Sequence, residues 1–252
     1  EDFKIDICED LKNQNWKSFI PAKEEVLVGG LVFLKNWIIR SETSNALSKL
    51  IIKDPKTGKE KNLDFVDEKV IVPGISLKQR DKNTDEVYLS YSSPKTPNKA
   101  YLYNLKTNEK TLVKEQEIPS GHNPDDYIVE RLESVSHDGR LVPITITRHK
   151  KTKIDGNANL LLYGYGSYGS SMSPDFSSTK LSLINRDIIW VTAHIRGGME
   201  RGMKWWKEGK LTNKKNTFKD YIATAKFLIE KKYTSKGKII GMGGSAGGLL
   251  MG

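Results

Sequence analysis

In the first half of the chain, short apolar runs alternate with polar positions, and the pattern repeats. Residues 37–65 overlay residues 87–115 at an offset of 50 without a gap. Lys49-Leu50-Ile51-Ile52 falls on Lys99-Ala100-Tyr101-Leu102, and Asp54-Pro55-Lys56-Thr57-Gly58 falls on Asn104-Leu105-Lys106-Thr107-Asn108. Each copy opens with a strand-forming run (Trp37-Ile38-Ile39, then Val87-Tyr88-Leu89). A polar loop and a hairpin follow, and the hairpin turns where Gly58 or Asn108 takes positive φ at low cost. A period near 50 with three or four short strands per copy is that of a propeller blade. The competing explanation is a chance match of two ordinary lysine-rich hairpins. Two copies do not close a ring, which takes roughly four or more.

The pattern breaks at Ile118-Pro119-Ser120-Gly121-His122-Asn123-Pro124, whose breaker-rich composition marks a domain boundary. Alternation over 128–135 and 141–147 about His137-Asp138-Gly139 predicts an antiparallel hairpin. The period then switches back and forth. Strands are expected at 159–163, 187–195 and 238–242, and a short helix at 179–184. A longer helix is expected at 218–231, with Phe218, Tyr221, Ile222, Ala225, Leu228 and Ile229 on its buried face. Strands alternating with helices imply a parallel sheet covered on both faces, so this part is α/β.

The 252 residues are 37% hydrophobic with a mean hydropathy of −0.53, the balance of a globular chain. No apolar run approaches the roughly 18 residues that span a membrane. Glu1-Asp2-Phe3-Lys4 lacks the basic and apolar regions of a leader, and the one cysteine, Cys8, fits a reducing compartment. A cytoplasmic protein without a membrane partner is expected. The sequence starts at Glu1 instead of Met and stops at Gly252 within an apolar stretch, so both ends are expected to be cuts in a longer frame. The net charge of +10 comes from 33 lysines and 8 arginines scattered along the chain. That composition reads as solvated surface, since phosphate and base readers favour the guanidinium; no nucleic-acid partner is expected.

Three glycine-rich segments follow the α/β strands. Gly243-Gly244-Ser245-Ala246-Gly247 satisfies Gly-x-Ser-x-Gly between a strand and an apolar stretch, the setting of a nucleophile elbow that lifts a serine hydroxyl above the sheet edge. A phosphate loop would want Lys after the last glycine, where Leu249 stands. The Ala246 N–H is then placed to stabilise an oxyanion. Leu162-Tyr163-Gly164-Tyr165-Gly166-Ser167-Tyr168-Gly169 closes the first α/β strand and is either a second oxyanion donor or a structural turn. Ile195-Arg196-Gly197-Gly198 closes the next strand, and Arg196 is either a site residue or a pin for its loop.

Together with Lys214-Lys215-Asn216-Thr217-Phe218-Lys219-Asp220-Tyr221, these segments resemble the prolyl oligopeptidase family, and within it the oligopeptidase B branch. Alanine after the serine, and Ser167-Tyr168 in the tyrosine loop, favour that branch over the prolyl-specific one. The resemblance implies the following organisation: residues 1–118 are the last blades of a seven-bladed β-propeller, 119–127 the junction, and 128–252 the N-terminal half of an α/β-hydrolase domain. It implies a serine peptidase that cleaves short peptides after Arg or Lys, with the propeller screening out folded proteins and with no cofactor or metal. Carried over by position, Ser245 is the nucleophile, and the Tyr165 hydroxyl with the Ala246 N–H forms the oxyanion hole. Asp175 and Arg196 are substrate-binding candidates. An acidic pair in this branch is associated with a second basic residue in the substrate. Ser173 replaces one member here, which puts a dibasic preference in doubt. Met199 and Arg201 also depart from the family's usual loop after Arg196.

The fold's triad runs Ser, then Asp or Glu, then His, but His122, His137, His149 and His194 all precede Ser245. Without a base the hydroxyl is a weak nucleophile, so the isolated chain is expected to be inactive unless extended or complemented by a second polypeptide. The alternative is a non-catalytic relic or interaction fragment of such an enzyme.

Overall fold

A computed structural model describes residues 3–78 and 81–252. Strands β1 (Ile5–Cys8) and β2 (Trp16–Ile20) form a two-stranded ribbon. Two four-stranded antiparallel sheets follow. The first contains β3 (Val26–Phe33), β4 (Ile38–Ser44), β5 (Leu47–Lys53) and β6 (Glu60–Asn62). The second contains β7 (Val72–Leu77), β8 (Glu86–Ser92), β9 (Lys99–Asn104) and β10 (Lys110–Glu115). These are the blades expected from the repeat. One hydrophobic cluster joins them face to face, with Ile39, Leu50 and Ile52 from the first and Val87, Leu89 and Tyr103 from the second.

The repeat has a local cause. Asp54 Oδ1 accepts from the N–H groups of Lys56 (2.8 Å) and Thr57 (3.3 Å), as Asn104 Oδ1 does from Lys106 (3.0 Å) and Thr107 (3.1 Å). Each turn then closes through a residue at positive φ, Gly58 at +71° and Asn108 at +62°. Side-chain acceptors followed by a left-handed residue fix both hairpins wherever they occur in the chain.

After a one-turn helix at Pro124–Asp126, the chain builds a five-stranded sheet in the order β11-β12-β14-β13-β15. Its strands are β11 (Tyr127–Val135), β12 (Leu141–His149), β13 (Asn159–Tyr163), β14 (Ile188–Ala193) and β15 (Ile239–Met242). The hairpin β11–β12 joins β14 antiparallel, and β13, β14 and β15 run parallel. Strand alternation sends Leu160, Leu162 and Val191 to one face and Leu161 and Trp190 to the other. Helix α1 (Ser178–Ile184) covers the second face through Leu181 and Ile184. Helix α3 (Lys215–Glu230) covers the first through Leu228 and Tyr221, and a short α2 (Gly202–Lys207) precedes it. Among the described residues, no helix is long and apolar enough to cross a membrane.

One expectation is corrected. Ile222 and Ile229 of α3 are 52% and 37% exposed, while Thr217, Asp220, Thr224 and Leu228 form the buried face. The helix is rotated toward its polar side because Asp220 meets a buried arginine and Thr224 pairs with Ser134.

The blades meet the five-stranded sheet through their inner connections. The two-residue turn Asn45-Ala46, with φ of +50° and +59°, enters a pocket where Ala46 N–H donates to Glu200 O at 2.9 Å and Arg131 donates to Asn45 O. Glu25 pairs with Arg201 at 2.6 Å. In the second blade the corresponding connection is a six-residue loop, and His122 Nε2 lies 2.6 Å from Lys95 O within it.

Candidate active site

Strand β15 ends at Met242, two glycines follow, and Ser245 sits at φ +51° before a one-to-two-turn 3₁₀ helix, Ser245–Leu250. A serine in the left-handed region is uncommon and strained, and here the strain turns the chain sharply so that the side chain is exposed at the sheet edge. The glycines around it are steric requirements. A Cβ at Gly243 would lie 2.2 Å from Gly247 O, and one at Gly247 would lie 2.9 Å from Gly164 O and 3.2 Å from the Tyr165 ring.

Register brings the tyrosine loop to the same place. Tyr163 pairs with Met242 in parallel register, and Gly164 N–H donates to Met242 O at 3.1 Å, so both loops leave the sheet side by side. Tyr165 is half-buried, and its hydroxyl has no hydrogen-bond partner among the described residues. The Ala246 N–H lies in the first turn after Ser245, where helical N–H groups have no intrahelical acceptor. The arrangement brings together, on two adjacent loops, an exposed serine hydroxyl, a phenol and a backbone amide, the last two without a hydrogen-bond partner among the described residues.

Asp175 lines a cleft of about 460 Å³ with Tyr163, Ser173, Lys180, Trp190 and Met242. Its carboxylate pairs with Lys180 at 2.9 Å, and Lys180 lies over the Trp190 ring. Arg196 is placed differently. At 1% exposure its guanidinium is bidentate to Asp220 (2.8 and 2.6 Å), bonded to Asp138, and set over Trp205. Burial pulls its pKa down, but the two carboxylates hold it above the ordinary arginine value. Of its two readings the geometry supports the pin: every donor faces protein, and none reaches the cleft.

His194 is wholly buried with Nε2 2.8 Å from Thr145 Oγ1; burial, helped by Arg131, keeps it neutral. The remaining histidines bond to Lys95 O (His122), Ser136 (His137) and Lys151 N–H (His149). Among the described residues, no group of three or more His, Cys, Asp or Glu could hold a metal ion.

Sequence reasoning gives no role to Asp220, Lys214 or Glu200, although the first two lie in the 214–221 segment that carries the family resemblance. Asp220 left a trace in the spacing of Thr217, Asp220 and Thr224, a polar stripe at helical period. Glu200 left none: it is 2% exposed, Oε1 accepts from Met172 N–H at 2.9 Å, Oε2 is without a partner among the described residues, and burial pushes its pKa up to about 7.

Comparison with known proteins agrees with this geometry. The signature of the "prolyl oligopeptidase, N-terminal beta-propeller domain" matches residues 3–116, and that of the "prolyl oligopeptidase family" matches residues 174–252. The chain belongs to the prolyl oligopeptidase family. Within it, dipeptidyl aminopeptidase BI of Pseudoxanthomonas mexicana is 39% identical over 243 residues, covering 95% of this chain and 33% of that protein. Protease 2 of Moraxella lacunata is 41% identical over 176 residues, covering 70% of this chain and 26% of that protein. Oligopeptidase B from Trypanosoma brucei, solved in a closed form with covalently bound antipain, superposes with a TM-score of 0.84 at 30% identity. That alignment covers 93% of this chain and 34% of the trypanosomal one. The chain thus spans a quarter to a third of the family members it matches.

Proposed function

We propose that Ser245 is the acylated nucleophile of a serine peptidase, with the Tyr165 hydroxyl and the Ala246 N–H holding the oxyanion. The observation that carries the reading is the strained, exposed Ser245 at φ +51° in a strand–turn–helix whose neighbour in register is the tyrosine loop. In the first step Ser245 Oγ adds to the scissile carbonyl, whose oxygen takes up negative charge between the two donors. Collapse expels the amine, which takes the proton that the base removed from Oγ, and leaves an ester that water cleaves to an acid and the free hydroxyl. Oγ must lose its proton to a base as it attacks, and the four histidines are engaged elsewhere. The reading therefore requires an imidazole and a carboxylate from outside these 252 residues, in the same polypeptide or in a complementing chain.

For substrate we propose short peptides cleaved after Arg or Lys, in a cytoplasmic setting. The likeness to protease 2 and oligopeptidase B supports this, as does Asp175, which gives the cleft beside Tyr163 and Met242 a carboxylate. The relatives named dipeptidyl aminopeptidase and prolyl endopeptidase define the rivals: release of N-terminal dipeptides, or cleavage after proline.

The test is fluorophosphonate labelling of the protein at its natural length, followed by fluorogenic peptides ending in Arg, Lys or Pro. A labelled band that disappears in Ser245→Ala, with Arg and Lys substrates preferred by at least tenfold, is expected. An unlabelled protein would reduce the hydrolase geometry to ancestry, and a preference for Pro would overturn the substrate class.

A further inference from the structure

The middle of the tyrosine loop makes few backbone hydrogen bonds. Gly164 is held to Met242 O at one end and Gly169 to Gly197 O at the other. Across residues 164–170, Gly166, Tyr168 and Gly169 all take positive φ, and the loop's own backbone hydrogen bond is Ser170 N–H to Ser167 O. Thr217, Ile195 and Met199 pack against its glycines, and one side chain donates hydrogen bonds to it. Lys214 Nζ donates to Gly166 O at 2.6 Å and to Ser167 Oγ at 2.9 Å.

Lys214 is badly placed for any other purpose. It stands at the N-terminus of α3, a 16-residue helix whose positive end disfavours a cation. It is half-buried, no carboxylate pairs with it among the described residues, and burial lowers its pKa. An uncompensated ammonium at that position lowers helix stability and gains only the two loop oxygens. The residues after it bind the neighbouring loops: Asn216 Nδ2 donates to Glu208 O, and Thr217 Oγ1 to Arg196 O and Gly209 O. The start of α3 thus gathers two strand-end loops and the turn after α2, and Lys214 is the member that grips the loop bearing Tyr165.

We propose that Lys214 is a positioning residue for the oxyanion hole: its ammonium clamps Gly166 and Ser167 and thereby fixes the adjacent Tyr165 hydroxyl toward the oxygen that becomes charged. The proposal rests on the reading of Tyr165 as an oxyanion donor. A charge-assisted bond to a carbonyl next to the donor is suited to the task, because a donor displaced by about 1 Å costs on the order of a hundredfold in rate.

Two readouts test it, both at natural length. Lys214→Met keeps the apolar stem and removes the donor. It is expected to lower kcat for an arginyl peptide by tenfold to a hundredfold with KM within about twofold, and to speed amide exchange at residues 165–168 at least tenfold. Lys214→Arg is expected to restore both to within about threefold, since it keeps a charged N–H donor on a stem of similar reach. Lys215→Met, at the exposed neighbour, is expected to change neither. Lys214→Gln, too short to reach, replaces the Met variant if that one does not fold. Unchanged kcat in the Met variant, faster exchange without loss of kcat, or a loss that Arg does not reverse would each overturn the proposal. Wild-type Ser245 that takes no fluorophosphonate sinks the hydrolase reading instead, and amide exchange alone then decides whether Lys214 holds the loop.

Discussion

The two blades share a fifty-residue repeat but differ in the connection between their second and third strands. On the solvent side they match: Asp54 and Asn104 cap the same turn, and Gly58 and Asn108 close it at positive φ. On the side facing the five-stranded sheet, the first blade turns in two residues and buries Ala46 against Glu200. The second uses six residues, folded on themselves by Ser93 and Thr96, with Thr96 Oγ1 donating to Glu68 at 2.6 Å. The outer turn is specified by its own residues and so can recur. The inner one must fit a surface that is not repeated, and there the symmetry gives way.

The sharpest way to break this comparison is to put valine at the paired positions 46 and 96. Ala46 is 4% exposed at φ +59°, so Ala46→Val adds a β-branched side chain in a disfavoured conformation with no space for it; a loss of about 3 kcal/mol is expected. Thr96→Val keeps the volume and loses one hydrogen bond, with a cost of about 1 kcal/mol. Urea unfolding of both variants measures the difference, and equal losses would mean that the inner turns are equivalent after all.

A second prediction concerns the partner surface under Ala46. The folded-state pKa of Glu200, about 7, lies above its ordinary value of 4.5, so the native state binds the extra proton. Its contribution to stability is complete below pH 4.5 and is lost as pH rises through about 7, with a span on the order of 3 kcal/mol. Glu200→Gln should remove that slope: the variant gains on wild type between pH 5 and pH 8 in chemical denaturation. A wild type and variant with parallel pH profiles would place Glu200 in contact with water or with a cation.

The smallest effect belongs to the outer turns. Gly58→Ala at φ +71° is expected to cost about 1 kcal/mol, and Gly58→Asn less than half of that, since Asn108 occupies the equivalent position. Thermal unfolding of the two variants measures it.

What could be read from the sequence divides along the same line. The hairpins at Gly58 and Asn108, the strands β13, β14 and β15, and the elbow sequence rest on residues within a few positions of one another, and each is legible in the sequence. The buried face of α3 is not. Periodicity counts apolar side chains, whereas Thr217 and Asp220 are buried for partners far off in sequence: Asp220 for Arg196, 24 residues away, which in turn binds Asp138, 58 residues away. The same limit applied to Arg196, whose two readings could be separated only by seeing that no donor was left for a substrate. Glu200 is hidden more completely. A carboxylate in a run of charged and small residues reads as surface, and nothing near it in the sequence announces that Asn45-Ala46 will close over it.

The inner turn of the first blade also sets an order of events during synthesis. Every strand pairing in the two blades joins neighbours in sequence, so each blade can assemble as it emerges. The loop that receives Ala46 is made 154 residues later, a delay of about 8–30 s at translation rates of roughly 5–20 residues per second. Throughout that interval the hairpin tip, with two residues already held in left-handed geometry, stands as a finished plug before its socket exists.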